Sequence, residues 1–537
     1  MLFCLLTLAS FYYSIGSVYN MIFEQFCAFY AMIRKHLCTA ALKIIEYYVR
    51  QIVKPVLREK GDPVIHAGER INREPMKFKD DFYNRLFSLV LPMIIQAFML
   101  ALVSATDAIM LGLVDQTSLS AVSLGGQIQF VLNLFVLGIT GGLSILAAQY
   151  WGKGDHLVIE RLIPVNLRYM SIIGSAFTIA AFLVPRGIMH IFTNEEALIT
   201  SGASYLRAVA LSYVLCAISQ VYLTTLKTTG RAGTASRISS FAVALNIVVN
   251  AILIFGLFGA PKLGIVGAAL STVLARAVEL VWSVLEVRKE TTMILPDDSR
   301  KNIIVHVYWN RLFTPEPELT KDYWKYTGPL LAAGLVWGIA YTLYSVIMGH
   351  MGSDAVAANS ITGIARSLVS CMTRGLGNGA GIMVGNVLGT GNLALAKKYG
   401  GRLTRLSIIG GIITGCLLMA LSPLIVRLAP LTDTAAGYLQ GMLIFCGINL
   451  MFQSVNHTVL DGVFCAGGDS RFDMYGNIGA MWCFSVPLGF IAAFVLKAPP
   501  LVVYCIVNMD EIVKIPAVYL RYKKYIWLRD LTKEVAA

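Results

Sequence analysis

A single carboxylate, Asp107, lies near the end of the otherwise uncharged apolar segment 86–111. The segment has about the length that crosses the hydrocarbon core of a bilayer as a helix. A carboxylate in the middle of such a helix costs about 2.5–3.5 kcal/mol on insertion scales, so we expect the side chain to face a cavity or a partner rather than lipid. The sequence therefore predicts a compensating group or ligand beside Asp107.

Other polar residues also stand at helical spacing in apolar segments. His457 and Asp461, in HTVLD, lie on one side of a predicted helix and are candidates for a proton relay. Two pairs of opposite charge are predicted to be local ion pairs: Arg276 with Glu279, and Asp510 with Lys514.

Composition indicates which elements must hold these residues. The chain has 537 residues, is 56% hydrophobic and 14% charged, and has a mean hydropathy of +0.67, outside the range of soluble globular proteins. About twelve apolar runs of spanning length follow residue 85: 86–111, 122–150, 166–185, 203–226, 238–260, 264–287, 328–349, 358–388, 403–426, 435–465, 475–496 and 499–520. The sequence therefore predicts an all-α integral membrane protein without a long soluble domain.

Lysine and arginine are distributed unevenly among the loops between these runs. They follow the second, fourth, sixth, eighth and last runs, whereas the loops 112–121 and 350–357 contain neither. This alternation follows the positive-inside rule and predicts a multi-pass protein of the cell (inner) membrane with both core termini in the cytoplasm. The net charge of +13 is then a consequence of topology, and no nucleic-acid partner is predicted.

Cysteine and glycine patterns argue against cofactor sites. The ten cysteines are scattered singly, without a CxxC pair or a Cys/His cluster of metal spacing. The stretch GLGNGAG, residues 375–381, is similar to a dinucleotide-binding loop only superficially, because no strand precedes it and no acidic residue follows at the required distance. Tight helix packing explains it better, and no cofactor is predicted.

Residues 1–75 form a separate segment. The stretch from Met1 to Ile33 is apolar and aromatic, but Glu24 interrupts it and neither a basic start nor a small-residue cleavage site is evident, so a signal peptide is disfavoured. Met76 begins a stretch typical of a start to the first core helix. We expect 1–75 to be an optional extension or the product of an upstream start.

An internal repeat divides the core into two halves. When Pro92 is aligned with Pro329 and no gap is introduced, six glycines match six others: Gly112 with Gly349, Gly126 with Gly363, Gly138 with Gly375, Gly142 with Gly379, Gly152 with Gly389, and Gly154 with Gly391. We call the separation between Pro92 and Pro329 the repeat offset. A six-helix unit returns the chain to the same side, so the halves are parallel repeats related by an axis along the membrane normal. The predicted parts are an amino-terminal lobe, 76–287, a cytoplasmic linker, 288–327, a carboxy-terminal lobe, 328–520, and a cytoplasmic tail, 521–537.

Several segments carry a more specific pattern. They include LPMIIQ, TDAIMLG, AAQYWGKGD, LKTTGRAGTASR and LNIVVNAILIFGLFGAPKLGIVGAALSTVLAR in the first half, and GHMGSDAVAANSI, GNGAGIMVGNVLGTGN and FCAGGDSRF in the second. From about Phe82 to Lys524 the chain resembles the multidrug and toxic compound extrusion (MATE) family. The resemblance implies twelve helices in two lobes around a V-shaped cavity, and an antiporter that exports organic cations, drugs or amphipathic metabolites by alternating access in exchange for sodium or protons.

The resemblance also implies a coupling-ion site on the first, fifth and sixth core helices of the amino-terminal lobe. The matching positions are Asp107, Asn246, Asn250 and Thr272. Asn246 and Asn250 share one helical face, and with Asp107 they would give sodium hard oxygen ligands and one formal charge. Many relatives have a second carboxylate at the position of Asn250. The amide found here favours sodium slightly as the coupling ion, and the proton stays an alternative. Structural roles for all four, such as asparagines that bond neighbouring helices, stay open as well.

The carboxy-terminal lobe departs from the family pattern. No acid occurs near Trp337 in the seventh helix, Asn456 stands near the position of a tenth-helix acid of another branch, and the repeat places Tyr344 opposite Asp107. We therefore expect this lobe to lack that branch's ion site. Trp337, Tyr344 and Asn456, with His457 and Asp461, are candidates to line a substrate cavity.

Arg366 and Arg374 lie in the eighth apolar run. If they line the cavity, they would repel cationic cargo and favour anionic or zwitterionic cargo; the alternative is that they pair with acids or reach an interface.

Two rival functions remain at this point. A lipid-linked oligosaccharide flippase of the related superfamily would also have repeated helices, although flippases tend towards more helices and strongly cationic cavities. A membrane-embedded transferase would need clustered catalytic groups, whereas the seven histidines are dispersed. The predicted partners are a small-molecule substrate, sodium or protons, and the lipid bilayer, and we expect a monomer.

Overall fold

The computed structural model of the protein describes residues 82–112, 116–294, 300–314, 316–429 and 431–533. All of them belong to one compact unit and nearly all of them are helical. The extension predicted for residues 1–75 lies outside the described residues.

The helices of the amino-terminal lobe follow the predicted apolar runs. They are α1 (Phe82–Gly112), α2 (Gln116–Lys153), α3 (His156–Leu183), α4 (Pro185–Phe192), α5 (Glu196–Val209), α6 (Leu211–Thr228), α7 (Ala232–Phe255) and α8 (Ile265–Val287). Helices α5 and α6 meet at a 44° bend and together have the length of one span.

The carboxy-terminal lobe repeats this order of elements with more interruptions. Its helices are α9 (Pro317–Gly349), α10 (Ser353–Val369), α11 (Cys371–Gly389), α12 (Leu393–Leu428), α13 (Asp433–Asn456), α14 (Ser470–Asn477), α15 (Val486–Phe490), α16 (Pro500–Val507) and α17 (Asp510–Lys523). The π-helical segments His457–Phe464, Ile478–Ser485 and Ile491–Val495 continue α13, α14 and α15.

Nine helices of the described chain are long and apolar enough to cross a membrane, or ten when the bent pair counts as one span. The other two runs predicted from the sequence, 358–388 and 499–520, are each divided into two shorter helices. The breaks fall at Ser370, between α10 and α11, and at Asn508, between α16 and α17. Charged residues flank both breaks, because Arg366 and Arg374 surround the first and Asp510 follows the second.

The segment between the lobes contains structure of its own. Strands β1 (Thr291–Ile294) and β2 (Arg300–Ile303) form an antiparallel hairpin. The chain beyond it is held against α3, since the backbone N–H of His306 donates to Glu160 Oε1 at 2.9 Å and Arg168 Nε donates to the carbonyl of Leu312 at 2.6 Å. Helix α9 begins at Pro317, inside the range predicted as linker.

Repeat-equivalent glycines form the contact between the two lobes. A Cβ on Gly138 in α2 would lie 2.6 Å from Cα of Leu331 in α9, and a Cβ on Gly375 in α11 would lie 2.9 Å from Cα of Ile94 in α1. Ile94 and Leu331 are themselves separated by the repeat offset, so the two contacts are the same contact made twice.

A second equivalent pair lies near the ends of α2 and α11. A Cβ on Gly152 would lie 1.8 Å from the carbonyl oxygen of Asn386, and a Cβ on Gly389 would lie 1.8 Å from that of Gln149. Only glycine permits this approach of backbones, because any Cβ would overlap a main-chain atom. The packing interpretation of GLGNGAG is confirmed. The two copies of the repeat contact each other through equivalent residues.

The carboxyl tail reinforces the contact at this end of the molecule, called here the tail side. The amide of Gln149 donates to the carbonyl of Ala466 at 2.6 Å and accepts from the N–H of Leu531 at 2.7 Å. Towards the opposite end, the equivalent glycines Gly126 and Gly363 have no atom within 4 Å of a Cβ position. The glycine contacts between the lobes therefore lie in the tail-side parts of α2 and α11.

Candidate functional site

The four residues predicted for the ion site lie together. The side-chain N–H of Asn250 donates to Asp107 Oδ1 at 2.6 Å and to Asn246 Oδ1 at 3.3 Å. The Asn246 amide in turn donates to Thr272 Oγ1 at 3.3 Å. Three helices, α1, α7 and α8, thus supply one hydrogen-bonded group, which we call the Asp107 cluster.

The local sequence explains why α7 and α8 bring their polar faces together. Gly256 ends α7 in the left-handed conformation with φ of 74°, and Leu263 N–H donates back to the carbonyl of Leu253 at 2.9 Å. A Cβ on Gly267 would lie 2.8 Å from main-chain atoms of Leu253, so a glycine there lets the helices approach closely. Side chains one helical turn apart on α7 then reach α8 side by side.

Ser271 belongs to the cluster and was missed by the sequence analysis. Its hydroxyl donates to Asn250 Oδ1 and lies 3.4 Å from the Asn246 amide nitrogen, which donates to it. Ser271 is fully buried, whereas Thr272 is half-buried. The adjacent hydroxyls of LST were a usable signal, but neighbouring helical residues point about 100° apart and only packing decides which one faces the asparagines.

The chemistry of the cluster suits a single monovalent cation. It contains one carboxylate, two amide carbonyls and two hydroxyls, which are hard oxygen ligands. In the present arrangement the negative charge of Asp107 is met by an amide N–H rather than by a basic residue. No group of three or more His, Cys, Asp or Glu is placed to share a metal ion in the part of the chain that the structure describes. A cation bound here would depend on Asp107 for its only formal charge.

A second carboxylate of this lobe, Glu279, is already neutralised. Arg276 Nη1 lies 2.5 Å from Glu279 Oε2, which confirms the predicted local pair, and Gln220 donates to the same carboxylate at 3.4 Å. Glu279 lies two helical turns beyond Thr272, about 10 Å along α8. Glu279 therefore has a basic partner, whereas Asp107 has none among the described residues.

In the carboxy-terminal lobe, Tyr344 and Arg366 line one cavity. It is small, with a volume of about 40 Å³, and opens to solvent, and Tyr341, Ser345 and Asn359 contribute to its walls. Arg366 Nη1 donates to Asn508 Oδ1 at 3.1 Å. Its hydrogen-bond partner among the described residues is thus an amide, while Asp510 of α17 lies near enough to act on it electrostatically.

The other predicted cavity residues are placed less uniformly. Trp337 stacks on Tyr341 with ring centres 5.3 Å apart and also lies 6.4 Å from the ring of Phe130 in the amino-terminal lobe. Arg374 is exposed on α11 and does not line the Arg366 cavity.

Asn456, His457 and Asp461 do not belong to the lining of that cavity. His457 Nδ1 and Asp461 Oδ2 are 2.6 Å apart, so the predicted pair forms. The Asn456 amide donates to Glu511 Oε2 at 2.7 Å.

A buried charged cluster surrounds Lys514, which lies 3.2 Å from Asp510 and 3.6 Å from Glu511. The Asp510 pair was predicted, whereas Glu511 and the buried Asp473 of α14 were missed. The lobe therefore has buried acids, but on α14 and α17 rather than at the positions compared in the sequence. The signal was available, because acids within apolar runs are rare, but the long separation of these helices in the chain concealed the cluster.

Comparison with known proteins identifies the family. The MatE family model matches residues 92–252 and, a second time, residues 329–491. The chain belongs to the MatE family. The two matches begin at Pro92 and Pro329, the positions that define the repeat offset, which confirms the duplication. Members of the family are membrane transporters rather than enzymes, which excludes the transferase and favours the efflux family over the flippase.

Relatives and solved structures agree with this assignment. The chain is 22% identical over 447 residues to the uncharacterized transporter YisQ of Bacillus subtilis, covering 83% of this chain and 95% of that protein. It is 24% identical over 423 residues to the multidrug resistance protein NorM of Vibrio cholerae, covering 77% and 88%. A MOP superfamily transporter from Pyrococcus furiosus has the same fold, with a TM-score of 0.73, 18% identity, and coverage of 83% of this chain and 96% of that one.

Proposed function

We propose that this MATE efflux transporter is an antiporter that exports amphipathic small molecules in exchange for sodium or protons, with Asp107 as the coupling group. The observation that carries the proposal is the Asp107 cluster, in which one carboxylate is held by uncharged donors at the meeting point of three helices. Its relative NorM is a multidrug resistance protein, which supports drug-like cargo.

The cluster can act as a switch because its hydrogen bonds depend on the charge of Asp107. A proton or sodium ion on the carboxylate reduces its negative charge and so weakens the hydrogen bond that it accepts from the Asn250 N–H. Asn250 also bonds Asn246 and Ser271, so its release changes the contact between α7 and α8. Binding energy at one carboxylate is thereby converted into a change in helix packing.

The positive-inside pattern supports placing the tail side in the cytoplasm and the protein in the cell membrane. The glycine contacts between the lobes would then lie on the cytoplasmic side of the protein. Both core termini would be cytoplasmic, and the presence of two lobes in one chain suits a monomer.

Efflux from proteoliposomes under separately imposed sodium and proton gradients tests the proposal. The protein, Asp107→Asn, and the control Glu195→Gln, an exposed carboxylate, are reconstituted into vesicles loaded with the fluorescent dyes rhodamine 123 and rhodamine 110. We expect one gradient to drive efflux by the protein and the control, and Asp107→Asn to lose the gradient-driven component. Gradient-driven efflux by Asp107→Asn would overturn the role of Asp107, and efflux indifferent to both gradients would overturn antiport.

A further inference from the structure

We infer that the cavity around Arg366 and Tyr344 binds the anionic group of the cargo. The inference rests on the proposed function and assigns it a substrate class: amphipathic molecules that carry a carboxylate beside an aromatic body. Three observations carry it: the polarity of the cavity wall, the incomplete pairing of Arg366, and the buried hydroxyl of Tyr344.

The first observation is the polarity of the cavity wall. Its lining includes Arg366, Tyr341, Tyr344, Ser345 and Asn359, and no Asp or Glu of the described residues belongs to it. Such a wall offers donors to a negatively charged group and repels a positively charged one.

The second observation is the incomplete pairing of Arg366. A guanidinium carries five N–H donors, and within the described chain only Nη1 has a side-chain partner, the Asn508 carbonyl oxygen at 3.1 Å. Asp510 is near enough to act on Arg366 electrostatically, but its carboxylate is held by Lys514 at 3.2 Å. Arg366 therefore presents a fork of donors to the cavity, and an arginine fork matches a carboxylate.

The third observation is the hydroxyl of Tyr344. It is buried, and its residue lines the cavity. The Ser485 hydroxyl, also buried, is close enough to pair with it, and a bond between the two uses only one of their two O–H donors. A buried hydroxyl without an acceptor is destabilising, so the cavity as it stands lacks an acceptor that a ligand can supply.

The repeat gives these observations a meaning. Tyr344 follows Asp107 by the repeat offset, so equivalent positions carry a donor beside a guanidinium in one lobe and a carboxylate beside amide donors in the other. A cation is attracted to the amino-terminal lobe, which has Asp107, and an anionic group to the carboxy-terminal lobe, which has Arg366. The two ligands need not compete for one site. Tyr341 also lines the cavity and stacks on Trp337, which provides an aromatic surface for the body of the cargo.

Two dyes with the same ring system test the assignment. Rhodamine 110 has a free carboxylate, and rhodamine 123 is its methyl ester. Binding to the purified full chain in detergent is measured by fluorescence anisotropy, without any ion gradient. We expect tighter binding of rhodamine 110, and we expect Arg366→Gln to weaken it by on the order of tenfold to a hundredfold while leaving rhodamine 123 unchanged, as for lost hydrogen bonds to a charged group.

Further variants make the result specific. Arg366→Lys keeps the charge and should restore part of the preference, and Tyr344→Phe should weaken rhodamine 110 binding by about fivefold. The controls are Arg427→Gln and Tyr475→Phe, both exposed, which should bind like the unaltered protein. Tyr344→Phe removes one oxygen atom, so it provides the test if Arg366→Gln fails to fold.

Equal or tighter binding of rhodamine 123, or an unchanged preference in both Arg366→Gln and Tyr344→Phe, would overturn the inference. Displacement of rhodamine 110 by phosphatidylglycerol in nanodiscs, but not by phosphatidylcholine, would assign the cavity to a lipid headgroup instead of cargo. Asp107→Asn should keep the rhodamine 110 preference, so failure of ion coupling and failure of anion binding give different results.

Discussion

The two lobes share the same glycine contacts but differ in the polar residues at equivalent interior positions. Gly152 and Gly389 make one backbone contact twice, and Gly138 and Gly375 make another. At the equivalent positions Asp107 and Tyr344, by contrast, one lobe has an acid and the other a phenol. Packing against the partner lobe constrains both copies of the repeat equally, whereas the ligand-facing positions are free to differ, so function is to be sought where the two copies differ.

The lobes also compensate buried charge in different ways. Asp107 is held by an uncharged amide, so a bound cation or proton changes its interactions. Lys514 is enclosed by Asp510 and Glu511, so its charge is already satisfied. The first arrangement is suited to exchange and the second to holding helices together.

The largest expected effect comes from the shared interface. Gly152→Ala and Gly389→Ala each place a Cβ 1.8 Å from a carbonyl oxygen, so each should prevent closure of the tail side and abolish efflux. Gly126→Ala, where the Cβ has nothing within 4 Å, is the matched control and should be active. Dye efflux and thermal unfolding check this, and normal activity in only one of the two interface variants would break the symmetry of the comparison.

The buried charged cluster should give the next largest effect. Lys514→Met leaves two buried carboxylates without their cation and should lower the free energy of unfolding by about 3–5 kcal/mol. The exposed Lys262→Met serves as the control, and thermal unfolding in detergent is the measurement. An unaltered unfolding temperature in Lys514→Met would show that the cluster does not hold α17 in place.

Two neighbouring hydroxyls of the Asp107 cluster, those of Ser271 and Thr272, should contribute unequally to coupling-ion affinity. Ser271→Ala removes the hydroxyl that donates to Asn250 and accepts from the Asn246 amide. It should therefore weaken coupling-ion affinity by about tenfold. Thr272→Val removes one acceptor and should have a smaller effect, and the exposed Ser204→Ala should have none. The ion concentration that gives half-maximal efflux is measured, and a larger effect of Thr272→Val would contradict the assignment of Ser271.

The smallest predicted difference concerns equivalent amides on the tail side. Gln149→Ala loses bonds to Ala466 and Leu531 and should lower the free energy of unfolding by about 1–2 kcal/mol. Asn386 occupies the equivalent position, but its Oδ1 is buried without a partner in the described residues, so Asn386→Ala should cost less. Chemical unfolding of the two variants side by side is the check, and equal losses would mean that the tail contributes little.

The sequence alone determined the features that depend on local pattern. Apolar runs of spanning length predicted the helices, the repeat offset between Pro92 and Pro329 predicted two lobes, and the spacing of Asn246 and Asn250 predicted a shared face. Each of these signals can be recognised along the chain without knowing which helices meet. The position of Asp107 in an apolar run marked it as the residue that needs a partner.

Tertiary structure decided the features that depend on which helices meet and in what rotation. It selected Ser271 beside Asn250, gave Arg366 an amide partner, and joined Glu511 of α17 to Asn456 of α13. It also showed that the repeated glycines contact each other's lobes rather than their own. Local periodicity fixes the face on which a side chain lies, but the partner of that face is set by packing between distant segments, and no pattern within one helix contains that information.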